Sequence, residues 1–287
     1  MPVHDLLGPA VAILPAKRHL WLYKNALLIE KGCYRKAAAK VVEAPRRSAL
    51  CRLNGGDSRR SMFNSLKLVV FDFDGTLVDS QGGIIAAMTE AFRSTGLEDP
   101  APSAVRRVVG LSLTTAIGEL MPGAEMGTVA TVAESYRDAF LALRSQPDFH
   151  EPLFPGARAA LEALDRPEVL LGIATGKARR GLLSSLERHD LAGHFVTLKT
   201  ADDGPGKPHP GILESAMAEV GVGSEETVMV GDTIFDIQMA RNAQAGSLGV
   251  SWGYHGAAEL SAAGAAGVID SFEDLLPALQ ALDEGRS

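Results

Sequence analysis

Cysteine is nearly missing from this chain of 287 residues: Cys33 and Cys51 are its two, and none follows them. A disulfide framework or a cysteine-held zinc site is therefore excluded from everything after residue 51. Long apolar runs are missing too, since no uninterrupted stretch approaches the roughly 18–20 residues that a helical membrane span requires. A surplus of positive charge is also lacking. The formal net charge is -7, which argues against a general nucleic-acid binder. Solenoid-type repeats are absent. These absences leave a globular protein acting in a reducing, cytoplasmic setting as the expectation, with no membrane and no nucleic acid as partner.

What is present is unevenly distributed. Residues 1–61 hold 12 Lys and Arg against 4 Asp and Glu, a balance of +8, which leaves the remainder at -15. An acidic body that handles anionic substrates needs local cations, either a metal or a few placed Lys and Arg. The basic leader is broken by Pro2, Pro9, Pro15 and Pro45 and runs into Asn54-Gly55-Gly56-Asp57-Ser58, a linker composition. It reads as a non-core segment: a translated upstream region with Met62 as the true start, a transit peptide, or a basic arm. The rest of the chain is long enough for a sizeable core.

The centre of the sequence is Val69-Val70-Phe71-Asp72-Phe73-Asp74-Gly75-Thr76. The run from Leu68 to Phe73 reads as a buried parallel strand, apolar on both faces. Asp72 and Asp74 interrupt it two residues apart, and Gly75 can turn the chain and aim each carboxylate separately. Burying an ionised carboxylate is costly unless a cation or donors compensate it. Two of them beside a Gly-Thr turn suggest a metal site at the carboxyl end of a strand, where open α/β sheets bind ligands.

Between Gln81 and Pro152 nothing reads as a strand. Helices are expected at Ile84–Thr95, Ser103–Val109, Leu113–Leu120 and Val129–Arg144, an all-helical insertion the size of a small bundle. From Pro155 onward helix and strand alternate. Strands are expected at Val169–Ala174, Phe195–Leu198, Thr227–Val230, Ser247–Val250 and Val268–Ile269, and a last helix at Phe272–Leu282. That alternation predicts an α/β fold with a doubly wound parallel sheet.

Three further stretches lie where strands end. Thr175-Gly176-Lys177 offers a hydroxyl, an approachable amide and a helix N-terminus, a phosphate-sized anion site that is also an ordinary strand-to-helix turn. Gly204-Pro205-Gly206-Lys207-Pro208-His209-Pro210 fixes one lysine between rigid residues. Gly231-Asp232-Thr233-Ile234-Phe235-Asp236 brings two more carboxylates to a strand-to-helix junction, where Asp232 alone would most simply be an N-cap.

In this order and spacing the four stretches resemble the haloacid dehalogenase superfamily, from Met62 to the C-terminus. The motif Asp-x-Asp-Gly-Thr is met without departure at Asp72 to Thr76. The resemblance implies a Rossmann-like core, residues 62–80 and 153–287, with an inserted α-helical cap of the first type at 81–152. It implies Asp72 as the nucleophile that forms an aspartyl-phosphate, and Asp74 as general acid and then base. Mg²⁺ would be bound by the Asp72 carboxylate, the Asp74 backbone carbonyl and Asp232, with Asp236 as a further or supporting ligand. Thr175, Gly176 and Lys207 would bind the phosphoryl group, and Asp79 and Ser80 would position the cap hinge.

Residue identity sorts the subfamilies. Dehalogenases lack the second acid, which is present here as Asp74. Phosphonoacetaldehyde hydrolases use a cap lysine, and Gln81–Pro152 contains none. β-Phosphoglucomutase-like enzymes carry an Arg shortly after a cap glycine to bind a second phosphate, whereas Gly110 is followed by Leu111-Ser112. What remains is similar to phosphoglycolate phosphatase: a phosphatase acting on a small phosphorylated metabolite. A phosphosugar mutase, a pyrophosphatase and a 5'-nucleotidase are the alternatives. Substrate selection is expected from the cap segment around Arg106, Arg107, Gly110 and Ser112. Trp252, Tyr254 and His255 are expected to pack over the carboxyl edge of the sheet.

Overall fold

The computed structural model describes residues 62–285; the leader discussed above lies outside the described residues. Six strands form one parallel sheet: β1 (Leu68–Phe71), β2 (Leu170–Ala174), β3 (Thr197–Lys199), β4 (Thr227–Gly231), β5 (Gly246–Val250) and β6 (Gly267–Ile269). Their spatial order is β3-β2-β1-β4-β5-β6. This is the doubly wound Rossmann-like arrangement, and the order reverses beside β1, where such sheets bind ligands. All four residues of β1 are buried, as expected of a central strand covered on both faces.

The first four helices, α1 (Gln81–Ser94), α2 (Pro102–Val108), α3 (Leu113–Leu120) and α4 (Met126–Arg144), all lie between β1 and β2. They bury Ile84, Met88, Phe92, Val105, Ile117 and Val132 against one another, and Tyr254 joins that cluster from the sheet side. Burying a large apolar side chain stabilises by about 1.5–3 kcal/mol, so this insertion has a core of its own. The chain enters and leaves it through adjacent strands of backbone: Val78 bridges Leu153 antiparallel, and Asp79 N–H donates to the Pro152 carbonyl at 2.8 Å. The remaining helices are α5 (Ala157–Leu164), α6 (Arg179–Arg188), α7 (Gly211–Val220), α8 (Ile234–Asn242), α9 (Ala257–Ala263) and α10 (Leu275–Glu284). Ile212, Leu213 and Met217 of α7 and Met239 and Ala240 of α8 pack with Leu68, Val70 and Met229 of the sheet.

Expected and observed boundaries differ in places with a physical reason. α1 starts a turn early, at Gln81, because Gly82 and Gly83 sit in a first turn and not in a linker; a side chain at residue 83 would press on Phe149 at 3.2 Å. β3 begins at Thr197 instead of Phe195, which is buried as core instead of laddered. The last helix starts at Leu275, after a 3₁₀ turn over Phe272–Asp274. Pro277 then falls in its first turn, where a missing N–H costs least.

Candidate active site

The parallel register places the ends of β1, β2 and β4 side by side, with Phe71 opposite both Ile173 and Val230. Asp72, one residue on, still donates its N–H to the Val230 carbonyl at 2.9 Å. Its side chain accepts from Phe73 N–H at 2.7 Å. The chain then turns at Gly75, whose φ is +88°. A Cβ at residue 75 would overlap Asp232 and the Tyr254 ring, so the turn needs glycine for conformation and for space. It leaves Thr76 donating to Asp232 Oδ1 at 2.8 Å. Trp252 Nε1 donates to the Thr76 carbonyl at 3.1 Å.

Asp72, Asp232 and Asp236 are all buried and bring carboxylate oxygens within 4.8 Å of one another. Asp232 is not the helix cap that its position alone suggested. Its Oδ2 accepts from Tyr254 N–H at 2.9 Å, while Thr233 stands at the N-cap position of α8. Asp236 then reaches back, its Oδ2 accepting from Thr233 N–H at 3.0 Å and Thr233 Oγ1 at 2.7 Å. That leaves Asp236 Oδ1 for Lys207, whose Nζ lies 2.6 Å from it and 2.8 Å from Asp72 Oδ1. These are charge contacts off the hydrogen-bonding directions: neither Lys207 Nζ nor Asp236 Oδ1 has an aligned partner.

One ammonium does not balance three buried carboxylates. Burial pushes Asp72 up to about 7, Lys207 offsetting it and Asp236 adding to it. Burial, with Asp72 and Asp236 close by, pushes Asp232 well above the ordinary range. Burial would lower Lys207, but Asp236 and Asp72 together raise it. An all-oxygen donor set, short of positive charge and with an unaligned carboxylate oxygen, fits a hard divalent cation such as Mg²⁺.

The second arm of the site was not legible as such. Lys177, the residue after the predicted Thr175-Gly176 pair, places Nζ 2.7 Å from Asp74 Oδ1 and 3.2 Å from Glu151 Oε1. Glu151 is buried, and its other oxygen accepts from Ser185 Oγ at 2.6 Å. Burial would raise Glu151, but Lys177 and Ser185 outweigh it and hold it low. Likewise burial would lower Lys177, and Asp74 and Glu151 together raise it. Glu151 lies far from Lys177 in sequence, at the exit of the helical insertion, so no local pattern announces the pair.

Thr175 is buried and accepts from Lys177 N–H at 3.3 Å. Gly176 lies under the insertion: a Cβ there would stand 2.6 and 2.7 Å from the Gly110 and Leu111 carbonyl oxygens. The loop Gly110–Ser112 is thus seated on the strand ends, and Gly110 and Ser112 line a cavity of about 1000 Å³ that also reaches Asp72, Asp74, Thr175 and Gly176. Arg106 and Arg107 do not line it. Arg107 pairs instead with Glu259 of α9, because α2 turns that face to the sheet side. His255 joins the same layers, with Nδ1 accepting from Ile234 N–H at 3.1 Å. This leaves Nε2–H to donate to the Arg107 carbonyl at 3.2 Å. Ser80 Oγ is 3.3 Å from Tyr254 Oη, in keeping with a place at the root of the insertion.

Comparison with known proteins gives the family. The family model described as haloacid dehalogenase-like hydrolase matches residues 69–250. A Dickeya dadantii protein named "Probable phosphatase IndB" is 33% identical over 75% of this chain and 94% of its own. Phosphoglycolate phosphatase of Vibrio parahaemolyticus is 31% identical over 74% of this chain and 95% of its own. Among solved structures, a hydrolase from Pseudomonas syringae superposes with a TM-score of 0.67 at 29% identity, covering 74% of this chain and 97% of that one. The chain belongs to the haloacid dehalogenase-like hydrolase family.

Proposed function

We propose that this protein is a Mg²⁺-dependent phosphatase that hydrolyses a small, phosphoglycolate-like phosphate monoester through an aspartyl-phosphate on Asp72. The observation that carries the reading is the convergence of Asp72, Asp232 and Asp236 beside Lys207 at the switch point of the sheet. The names of the relatives support it.

In the first half of the reaction an oxygen of Asp72 attacks phosphorus, the ester oxygen leaves, and Asp74 gives it a proton. In the second half a water attacks the aspartyl-phosphate, Asp74 takes its proton, and orthophosphate departs with Asp72 restored. Thr175, the Gly176 amide and Lys207 supply donors to the phosphoryl oxygens as charge spreads over them. Lys177 holds Asp74 from the side, and Glu151 balances the charge it brings, so orientation is gained without a net cation. Asp72, the Asp74 carbonyl and Asp232, with Asp236 behind them, would hold the Mg²⁺, whose chemistry is to neutralise charge on the phosphoryl group. The helices of 81–152 act as the cap, closing over the strand ends and contributing Gly110 and Ser112 to the cavity.

The test is phosphate release from an aryl phosphate in Mg²⁺. Turnover is expected in the wild type, and none after chelation or in Asp72→Asn. Retained turnover in Asp72→Asn contradicts the assignment.

A further inference from the structure

The cavity has a cationic end that the phosphoryl chemistry does not use. Arg144, at the end of cap helix α4, and Arg180 and Arg188, on α6 of the core, all line it. None of the three pairs with a carboxylate among the described residues, whereas Arg93, Arg107 and Arg179 each do, with Asp99, Glu259 and Asp203. In a body carrying a surplus of acids, three unpaired arginines brought together from two elements need an explanation.

Arg144 is the clearest of them. Its Nη1 donates to the Gly181 carbonyl at 3.3 Å, and its Nη2 is buried without any partner. Glu151 is near enough to act on it by charge, but both of its oxygens are committed, to Lys177 and to Ser185. Burial lowers the pKa of Arg144, Glu151 and Asp74 oppose this, and Arg188 and Arg180 lower it further, as like charges do. Two of the three head groups stand over rings. The Arg144 guanidinium lies 5.9 Å from the centre of Phe140, and that of Arg188 lies 5.0 Å from the centre of Phe149. Lys177 Nζ stands 5.4 Å from that same Phe140 ring. Phe140 therefore links the cationic end to the lysine that holds Asp74, the residue beside the leaving group.

Resting on the phosphatase reading, we propose that Arg144, with Arg180 and Arg188, forms a second anion subsite that takes a carboxylate or phosphate at the far end of the leaving group. The preferred substrate is then a phosphate monoester anionic at both ends. A cavity of about 1000 Å³ has room for a leaving group larger than glycolate, being at the upper end of small-molecule sites. A planar guanidinium with a free edge suits either anion. The cap thus contributes selectivity from the end of α4, in place of the Arg106–Arg107 segment that the sequence suggested.

The experiment compares kcat/KM within matched pairs: the phosphate ester of an ω-hydroxy acid against that of the equally long alcohol, and a diol bisphosphate against its monophosphate. The wild type is expected to favour the anionic member of at least one pair by about tenfold or more. Which pair shows the preference identifies carboxylate or phosphate. In Arg144→Met the preference collapses towards equality, and in the exposed-site variants Arg180→Met and Arg188→Met it shrinks by less. Equal handling of both members of each pair in the wild type, or a preference untouched by all three variants, overturns the subsite. Equilibrium binding of the same pairs to Asp72→Asn in Mg²⁺ asks the question without turnover. If no ester is hydrolysed, the phosphatase reading fails, while an anionic preference in binding that is lost in Asp72→Asn/Arg144→Met still upholds the subsite and its absence rejects it.

Discussion

Lys207 and Lys177 are two solutions to one problem. Lys207 is buried and Lys177 nearly so, and each ammonium lies between two carboxylates: Asp72 and Asp236 for Lys207, Asp74 and Glu151 for Lys177. Around Lys207 the acids outnumber the lysine, since Asp232 completes a cluster of three. Around Lys177 one acid is further satisfied by Ser185. The first environment is short of a cation, whereas in the second Lys177 is flanked by Asp74 and a Glu151 whose other oxygen is already satisfied. On the proposed reaction, charge on the Asp72 side is left for a metal and a phosphoryl group to complete, while on the Asp74 side the protein itself fixes one carboxylate against another element.

This difference ranks the expected effects of substitution. Lys207→Met removes the proposed phosphoryl donor and the ammonium beside Asp72 and Asp236. Phosphate release is expected to fall by about 10²–10³, and the melting temperature to depend more strongly on added Mg²⁺ than in the wild type. Equal metal dependence in the two proteins would break the distinction. Lys177→Met is expected to be milder, lowering kcat by about tenfold to 10² through misplacement of Asp74, with KM for a small aryl phosphate little changed. Glu151→Gln should lower kcat less than Lys177→Met. The double variant should cost less than the product of the two, because both act through the same contact. Multiplicative losses in that cycle would show that Glu151 acts by another route.

The smallest effect is expected at a buried carboxylate that accepts from backbone amides. Asp283 on α10 accepts from the Ser65 and Leu66 N–H groups at 2.9 and 2.7 Å, from Ser65 Oγ at 2.6 Å and from Asn64 N–H. Burial raises its pKa, but these hydrogen bonds outweigh it and the net shift is downward. A lowered folded-state pKa stabilises above the unfolded value of about 3.9, and the gain is lost as pH falls through the folded value. Asp283→Asn should therefore lower the melting temperature by a few degrees at neutral pH, with activity per folded molecule unchanged. The gap to wild type should close in acid. A gap that persists below the ordinary carboxylate range would show that the contribution is packing and not charge.

The sequence made the Asp72–Lys207 side readable and hid most of the Asp74 side for a physical reason. Asp72, Asp74, Thr175, Lys207 and Asp232 each follow a strand or sit in a constrained loop, so a parallel sheet brings them to one edge however the rest packs. The strand alternation that predicts the sheet is local, and the strands appear close to where they are expected. Glu151, Ser185 and Arg144 come from an insertion exit, a helix interior and a helix end. Their meeting depends on how the helical insertion packs on the sheet, which no periodicity encodes. Arg106 and Arg107 illustrate the converse. They lie beside the cap loop in sequence, yet helix rotation sends Arg107 to Glu259 and away from the cavity. Asp232 resembled a cap until Thr233 and Asp236 were seen to cap the helix without it.

Asp72 and Asp74 are proposed to have different tasks, one forming a covalent bond to phosphorus and the other moving protons. Asp74→Asn, incubated with an aryl phosphate and Mg²⁺ and quenched in acid, separates them. An aryl leaving group needs little help from an acid, whereas breakdown of the intermediate needs the base. Intact and peptide mass analysis is expected to show one phosphoryl group on the peptide carrying Asp72, removed by hydroxylamine and absent from Asp72→Asn. An unlabelled Asp74→Asn that still releases phosphate, or a label on any other residue, would contradict the assignment of Asp72 as nucleophile.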